Sequence, residues 1–267
     1  MTLTGWNLKG GRVADQFRWG NCVVILSLNP DRPVASYVSP DLKSEEMVDR
    51  LLHFGTGLCS AASAGFFWIG NNYEIIELKT VNIKPCSIRR YISYGEKKDP
   101  INIKKLSESR KNIATLRNAL AGDERRSEYL VHLQDVNIGD EIDLLFWYEK
   151  NPIACLSLFR PIGESDFCVE MFDWEGFRTY LESTLSLHWR IRSINVENKL
   201  VHKYRLQPRE LQVVELLTMG AGNQQISDAL NISLSTVKTH IVSILDKTGA
   251  DSRLGVASIV SQLQYSS

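Results

Sequence analysis

Leu206-Gln-Pro-Arg-Glu-Leu-Gln-Val-Val-Glu-Leu-Leu-Thr-Met-Gly220 runs directly into Ala221-Gly-Asn-Gln-Gln-Ile-Ser-Asp-Ala-Leu-Asn-Ile-Ser-Leu-Ser-Thr-Val-Lys-Thr-His240. Pro208 suits the first turn of a helix, where its missing N–H would find no partner, and Gly220 suits the position just past a helix end. Val213, Val214, Leu216 and Leu217 between them form an apolar face. Asn223 is expected to cap a short second helix, in which Ile226, Ala229 and Leu230 stand at i, i+3, i+4. Asn231-Ile-Ser233 makes a turn, and Ser233 caps a third helix running from Leu234 to about Thr248. Val237, Ile241, Ile244 and Leu245 form its buried stripe, which leaves Ser235, Thr236, Lys238, Thr239, Val242 and Ser243 facing outward. Gly249 ends it. Two helices joined in this way are a helix-turn-helix. A fourth helix, from about Arg253 to Leu263, carries Leu254, Val256, Ala257, Ile259, Val260 and Leu263, more apolar surface than so small a domain needs for its own core.

Gln207-Pro-Arg-Glu-Leu-Gln212, Gly220 followed by Asn223-Gln-Gln-Ile-Ser227, and Ser235-Thr-Val-Lys-Thr-His240 together resemble the signature of LuxR-type (NarL/GerE-like) DNA-binding domains, from about Leu206 to the end. The resemblance implies that the third helix enters the major groove of double-stranded DNA, which is wide enough to admit one. It places Lys238, Thr239 and Val242 at base edges beside Ser235, and Thr236, Asn223 and Arg253 at phosphates, which give affinity and register. Val242 departs from the family, where a basic residue is common, so readout there would rest on thymine methyls. The resemblance also implies a homodimer paired through residues 253–263 and the N-terminal domain, with RNA polymerase as a further partner. From Lys203 onward the cations are Lys203, Arg205, Arg209, Lys238, Lys247 and Arg253, and the acids Glu210, Glu215, Asp228, Asp246 and Asp251, six against five. A module so nearly neutral needs pairing and extra cations to bind DNA well.

The extra cations lie just upstream. Residues 189–205 hold Arg190, Arg192, Lys199, Lys203 and Arg205 against Glu197 alone, and read as a basic linker. That leaves residues 1–188 as one domain and 206–267 as the helix-turn-helix domain. The whole chain of 267 residues is 43% apolar and balances 31 basic against 31 acidic side chains, so it carries no global charge signature of a nucleic-acid partner. Cys22, Cys59, Cys86, Cys155 and Cys168 are too scattered for a zinc site and read as reduced thiols. No apolar run reaches a membrane span, and Met1-Thr-Leu-Thr-Gly-Trp-Asn-Leu-Lys9 lacks the layout of a signal peptide, so a cytoplasmic location away from membranes is expected.

Residues 1–188 read as an α+β domain. Ser44 is expected to cap a helix that reaches Ala64-Gly65, with Met47, Val48, Leu51 and Leu52 on its apolar face. Phe66-Phe-Trp-Ile69 and Tyr73-Glu-Ile-Ile-Glu-Leu78 flank Gly70-Asn-Asn72 as a hairpin. Ile142–Tyr148 and Ile153–Phe159 form a second hairpin around Glu149-Lys-Asn-Pro152, whose Asn and Pro supply the turn. Short helices fill the interval from Cys86 to about Leu133, and one last helix is expected from about Val169 to Trp189. Hairpins in place of alternating strands and helices, with Ser27-Leu-Asn-Pro30 after the first strand, exclude a phospho-acceptor receiver domain.

Tyr91, Tyr94 and Asp99-Pro100 resemble the Trp/Tyr…Asp-Pro signature with which LuxR-type proteins bind acyl-homoserine lactones. Cys86 and Ala114 stand where that family has its two tryptophans. Gly65-Phe-Phe-Trp68, Tyr91 to Pro100 and Leu156-Ser-Leu-Phe-Arg160 are similar to a wider group of LuxR-type regulators with GAF- or PAS-like sensory domains. The implied function is a dimeric, sequence-specific transcriptional regulator whose N-terminal domain senses a small-molecule effector. The alternative is a regulator gated by a protein partner, or an adaptor with a weakened helix-turn-helix and no ligand. A pocket between sheet and helices would draw on Trp68, Tyr91, Tyr94, Asp99 and Trp147. No GxSxG, HExxH, P-loop or GxGxxG motif occurs, which argues against an enzyme, and no cofactor or metal is implied.

Overall fold

In the computed structural model the described residues are 26–27, 37, 41–70, 72–92, 98–121 and 126–265. They form two compact units, one built on Glu46–Thr184 and the other on Leu185–Ser267 with the described part of Pro33–Glu45.

The first unit is organised by a six-stranded sheet of β1 (Leu26–Ser27), β2 (Ser63–Ile69), β3 (Ile75–Val81), β4 (Ile113–Thr115), β5 (Asp140–Tyr148) and β6 (Asn151–Arg160) in the order β1-β3-β2-β6-β5-β4. Every neighbouring pair is antiparallel. Both expected hairpins are present, but the second turns on two residues: Tyr148 pairs with Asn151, leaving Glu149 and Lys150 as the loop, with Glu149 at φ 54°. Asn151 and Pro152 belong to β6, and Pro152 faces Trp147 beside a register shift, where a missing N–H is tolerated.

Both faces of the sheet are covered, which explains why the central strands are apolar along nearly their whole length. Phe66, Trp68, Ile142, Leu144, Phe146, Leu156 and Leu158 share one face by the two-residue alternation. Helices α1 (Leu42–Leu58) and α6 (Trp174–Leu185) cover it, close enough that a Cβ on Gly55 would lie 3.4 Å from Leu158 and 3.8 Å from Phe177. On the opposite face Phe67, Leu78, Leu145 and Cys155 join a core with residues of α2 (Pro85–Arg90), α3 (Ile103–Ser109), α4 (Leu116–Leu120) and α5 (Arg126–Asp135). The α+β class is as expected. Two details differ. Asp41, not Ser44, carries the cap of α1, its Oδ1 accepting the Ser44 N–H at 2.8 Å. The helix also stops at Leu58, short of Ala64, because Ser63 already begins β2.

The second unit is helical: α7 (Trp189–His202), α8 (Pro208–Thr218), α9 (Asn223–Leu230), α10 (Leu234–Thr248) and α11 (Arg253–Tyr265). The helix expected from about Val169 to Trp189 is shorter, Trp174–Leu185, and a separate helix starts at Trp189, where His188 caps α7, its Nδ1 accepting the Arg190 N–H at 3.1 Å. The basic stretch is a helix in its own right. Val196 and Leu200 of α7 are fully buried in the same core as Val213, Val214, Ile226, Val237, Ile244, Val256 and Val260. Tyr37 joins that core and donates to the Leu211 carbonyl at 3.1 Å. Among the described residues no helix is long and apolar enough to cross a membrane.

Candidate functional site

The helix-turn-helix consists of α9, a turn held by Asn231 in the left-handed conformation (φ 50°), and α10. Asn231 tolerates that conformation better than most residues, because its short amide can bond locally. Gly222, not Asn223, is the N-cap of α9, and its N–H donates to Gln225 Oε1 at 2.7 Å. Ser233 caps α10 as expected, accepting the Thr236 N–H at 3.1 Å and lying 2.7 Å from both the Ser235 and the Thr236 hydroxyl. Ser235, Thr236, Lys238, Thr239 and Val242 are exposed on α10, Val242 to 66%, while Val237 and Ile244 are buried beneath them. Thr239 Oγ1 donates back to the Ser235 carbonyl at 3.1 Å, a bond it could exchange for one to a ligand.

Several cations of the module are engaged internally. Lys247 Nζ donates to Glu210 Oε2 at 2.6 Å, and Ser243, expected to face outward, donates to Glu210 Oε1 at 2.6 Å. Burial would raise the Glu210 carboxyl, but the Gln207 N–H, Lys247 and Ser243 outweigh it and hold it below its ordinary value. Arg209 donates to the Leu230 carbonyl at the end of α9, and Arg253 to the Ala221 carbonyl at 3.0 Å. Lys238 is the exposed cation left on the outward face of α10. On α11, Val256, Val260 and Leu263 are buried in the unit's own core, so the large apolar side chain left outside is Leu254, 81% exposed. The surplus apolar face is narrower than the sequence suggests.

The first unit contains a cavity of about 370 Å³ between the sheet and helices α2, α3 and α5. Its lining is apolar over much of its area through Phe67, Ile75, Leu78, Ile101, Ile103 and Leu133, with a polar floor and wall. Tyr91 and Asp99 both line it, and Tyr91 Oη donates to Asp99 Oδ2 at 2.7 Å while Asp99 Oδ1 accepts the Ile101 N–H at 2.8 Å. Tyr129 also bonds the Asp99 carboxyl. Burial raises Asp99 to about 6 against these bonds and the charge of Lys105. The other candidates are elsewhere. Trp68 lies on the opposite face, 3% exposed and 5.2 Å from the Phe66 ring, because it is one residue out of step with Phe67. Trp147 follows a register shift in β5 and is not on the cavity lining. Tyr94 lies outside the described residues.

Among the cavity residues that the sequence did not single out are Glu141 and Asp143 on β5, Thr80 on β3 and Tyr129 on α5. A signal was available in Asp140-Glu-Ile-Asp-Leu-Leu-Phe146, where Glu141 and Asp143 stand two apart, and so on one face, in a strand that otherwise reads as core.

Residues 205–260 match the profile of bacterial regulatory proteins of the luxR family, also called GerE. The monoamine regulon transcriptional regulator of Klebsiella aerogenes is 25% identical over 217 residues, covering 81% of this chain and 91% of its own. The transcriptional regulatory protein LiaR of Bacillus subtilis (strain 168) is 41% identical over 61 residues, 23% of this chain and 28% of its own. Among solved structures, SdiA of Escherichia coli aligns over 84% of this chain and 92% of its own at 11% identity, with a TM-score of 0.43. The helical module is a LuxR-type helix-turn-helix domain.

Proposed function

We propose that the chain is a dimeric, sequence-specific DNA-binding regulator whose first unit takes up a small molecule. The observation that carries the DNA reading is the outward face of α10, where Ser235, Thr236, Lys238, Thr239 and Val242 are exposed together over a buried apolar stripe. Short polar side chains and one lysine on a helix can read base edges in the major groove. In this reading Lys238 takes guanine, Thr239 a base edge and Val242 a thymine methyl, while Asn223, Thr236 and Arg253 meet phosphates. With Lys247 paired to Glu210, one helix offers little charge, and two copies together supply what one lacks. The copies pair in part along the outer strip of α11, where Leu254, Ser258 and Ser261 are exposed at helical spacing.

The cavity supports the sensing half of the proposal, since about 370 Å³ with an apolar lining and few polar groups suits a small ligand. An effector acts by binding one DNA-affinity state better than the other.

A mobility-shift titration against promoter fragments at several salt concentrations tests the DNA reading. Replacing Lys238 and Thr239 by alanine is expected to weaken binding at least about tenfold and leave the melting temperature unchanged. Wild-type protein that shifts no fragment up to micromolar dimer would defeat the proposal. Mass spectrometry of gently purified protein tests the sensing half. That half fails if no small molecule co-purifies and no metabolite pool changes thermal stability or DNA affinity.

A further inference from the structure

Strand pairing lays a polar row across the floor of the cavity. Thr80 of β3 pairs with Gly65 of β2, Gly65 with Ser157 of β6, and Ser157 with Asp143 of β5. All four therefore sit on one face, and all line the cavity. The glycine leaves the place between Thr80 and Ser157 without a side chain. Thr80 and Asp143 at its ends are 1% and 4% exposed, and Thr80 Oγ1 and Asp143 Oδ1 are buried without a hydrogen-bond partner. Each would normally have one.

Glu141 stands beside Asp143, and Asp99 faces both from the α2–α3 connection, so three carboxyl groups that are 6%, 4% and 2% exposed share one cavity. Burying carboxylates is costly unless an opposite charge accompanies them. The ionisable neighbours come from every surrounding element. Tyr91 at the end of α2, Tyr129 of α5 and Lys105 of α3 act on Asp99, Cys155 of β6 lies close to Asp143, and Lys84 and Asp135 stand on the lining. Burial raises Asp143 to about 8 and holds Glu141 well above its ordinary value, so both carboxyls keep their protons to higher pH than exposed ones do. Among the described residues no three such side chains are placed to hold a metal ion. A carboxylate only accepts hydrogen bonds, and an ammonium group carries three donors and no acceptor.

We infer that this cavity takes a primary amine, an ammonium head on an apolar body, with the head at the Glu141–Asp143 end of the row and the body running over Gly65 against Phe67, Leu78 and Ile103. The inference rests on the small-molecule reading above and names the ligand's chemical class. An ammonium ion favours the ionised carboxyl, so its entry expels a proton from the Glu141–Asp143 pair. Affinity then rises by about tenfold per pH unit between about pH 6 and pH 8 for each proton released.

The test is calorimetry and thermal shift on the full chain with 2-phenylethylamine and n-hexylamine, beside the neutral 2-phenylethanol and the anionic 3-phenylpropionate. An amine should bind, the alcohol and the acid should bind at least tenfold more weakly, and the measured heat should vary with the buffer as it does when protons are released. Asp143→Asn, which keeps the shape of the protonated side chain, should lose at least tenfold in amine affinity, and Asp49→Asn, in α1 on the other side of the sheet, should lose none. Equal binding of amine and alcohol, or full amine affinity in Asp143→Asn, overturns the amine assignment and leaves small-molecule sensing standing. Failure of both amines to bind at millimolar concentration also overturns it, and the co-purification measurement then decides whether the cavity binds any small molecule.

Discussion

Lys247 at the end of α10 and Glu210 in the first turn of α8 meet at 2.6 Å, with Glu210 4% exposed. The contact ties the DNA-facing helix to its scaffold by a side chain that also closes the start of α8 through the Gln207 N–H at 2.7 Å. Removing the carboxylate leaves three donors without their acceptor.

Glu210→Ala is accordingly expected to destabilise the second unit by about 2–4 kcal/mol. The carboxyl is held below its ordinary value in the folded state, so its contribution is present above the ordinary glutamate range and lost as pH falls through the lowered value. Thermal denaturation between about pH 3 and pH 6 should therefore show a loss of stability on acidification that Glu210→Gln flattens. An unchanged slope would mean that the ion pair contributes nothing.

The cavity acids act with the opposite sign. Asp143 is raised by burial to about 8. Between the ordinary aspartate value and that one the unfolded chain gives up its proton while the folded chain keeps it, so the first unit should lose stability as pH climbs from about 4 to about 8. Asp143→Asn removes this dependence and should raise the melting temperature at pH 8 by several degrees, as a gain of one or two kcal/mol would. A lower melting temperature at pH 8 in this variant would contradict the assignment of a protonated, buried side chain.

Lys238 and Arg253 are both basic and both exposed, but they should behave differently without DNA. Arg253 fastens the start of α11 to the Ala221 carbonyl at 3.0 Å, and Arg253→Ala is expected to cost about 1 kcal/mol in denaturant titrations. Lys238→Ala should stay within about 0.5 kcal/mol of wild type, as surface changes usually do.

His188 separates α6 from α7 by accepting the Arg190 N–H while itself 0% exposed. His188→Asn keeps a capping acceptor, and His188→Leu does not. The leucine variant should be less stable by about 1 kcal/mol or more, and the asparagine variant should recover part of the loss. Equal stability of the two would show that the cap is unimportant.

The helix-turn-helix was legible because its information is local. Ser233, Val237, Ile241 and Ile244 declare cap and stripe within twelve residues, and α10 forms as they require. The domain bounds were harder to read. Trp189, Ile191, Val196 and Leu200 are an apolar stripe, but Arg190, Arg192, Lys199 and Lys203 between them gave the stretch the look of a linker, although long basic side chains lie comfortably beside buried neighbours. The cavity was the least legible part. Tyr91 and Asp99 are eight residues apart and could be read together, whereas Thr80, Gly65, Ser157 and Asp143 become neighbours only through the register of three strand pairings. Trp68 failed as a candidate for the same reason, since a strand sends adjacent side chains to opposite faces and Phe67 took the inward position.

Gly65 gives that register one more consequence. A Cβ built there meets Leu78 Cδ1 at 3.7 Å, Thr80 Cγ2 at 3.9 Å and Phe159 at 4.0 Å, all ordinary contacts, so Gly65→Ala should fold normally. Its extra methyl would shorten the chamber from below without touching a charge. For the proposed amine the position is thus a gauge of length: alanine should spare compact amines and reject longer ones.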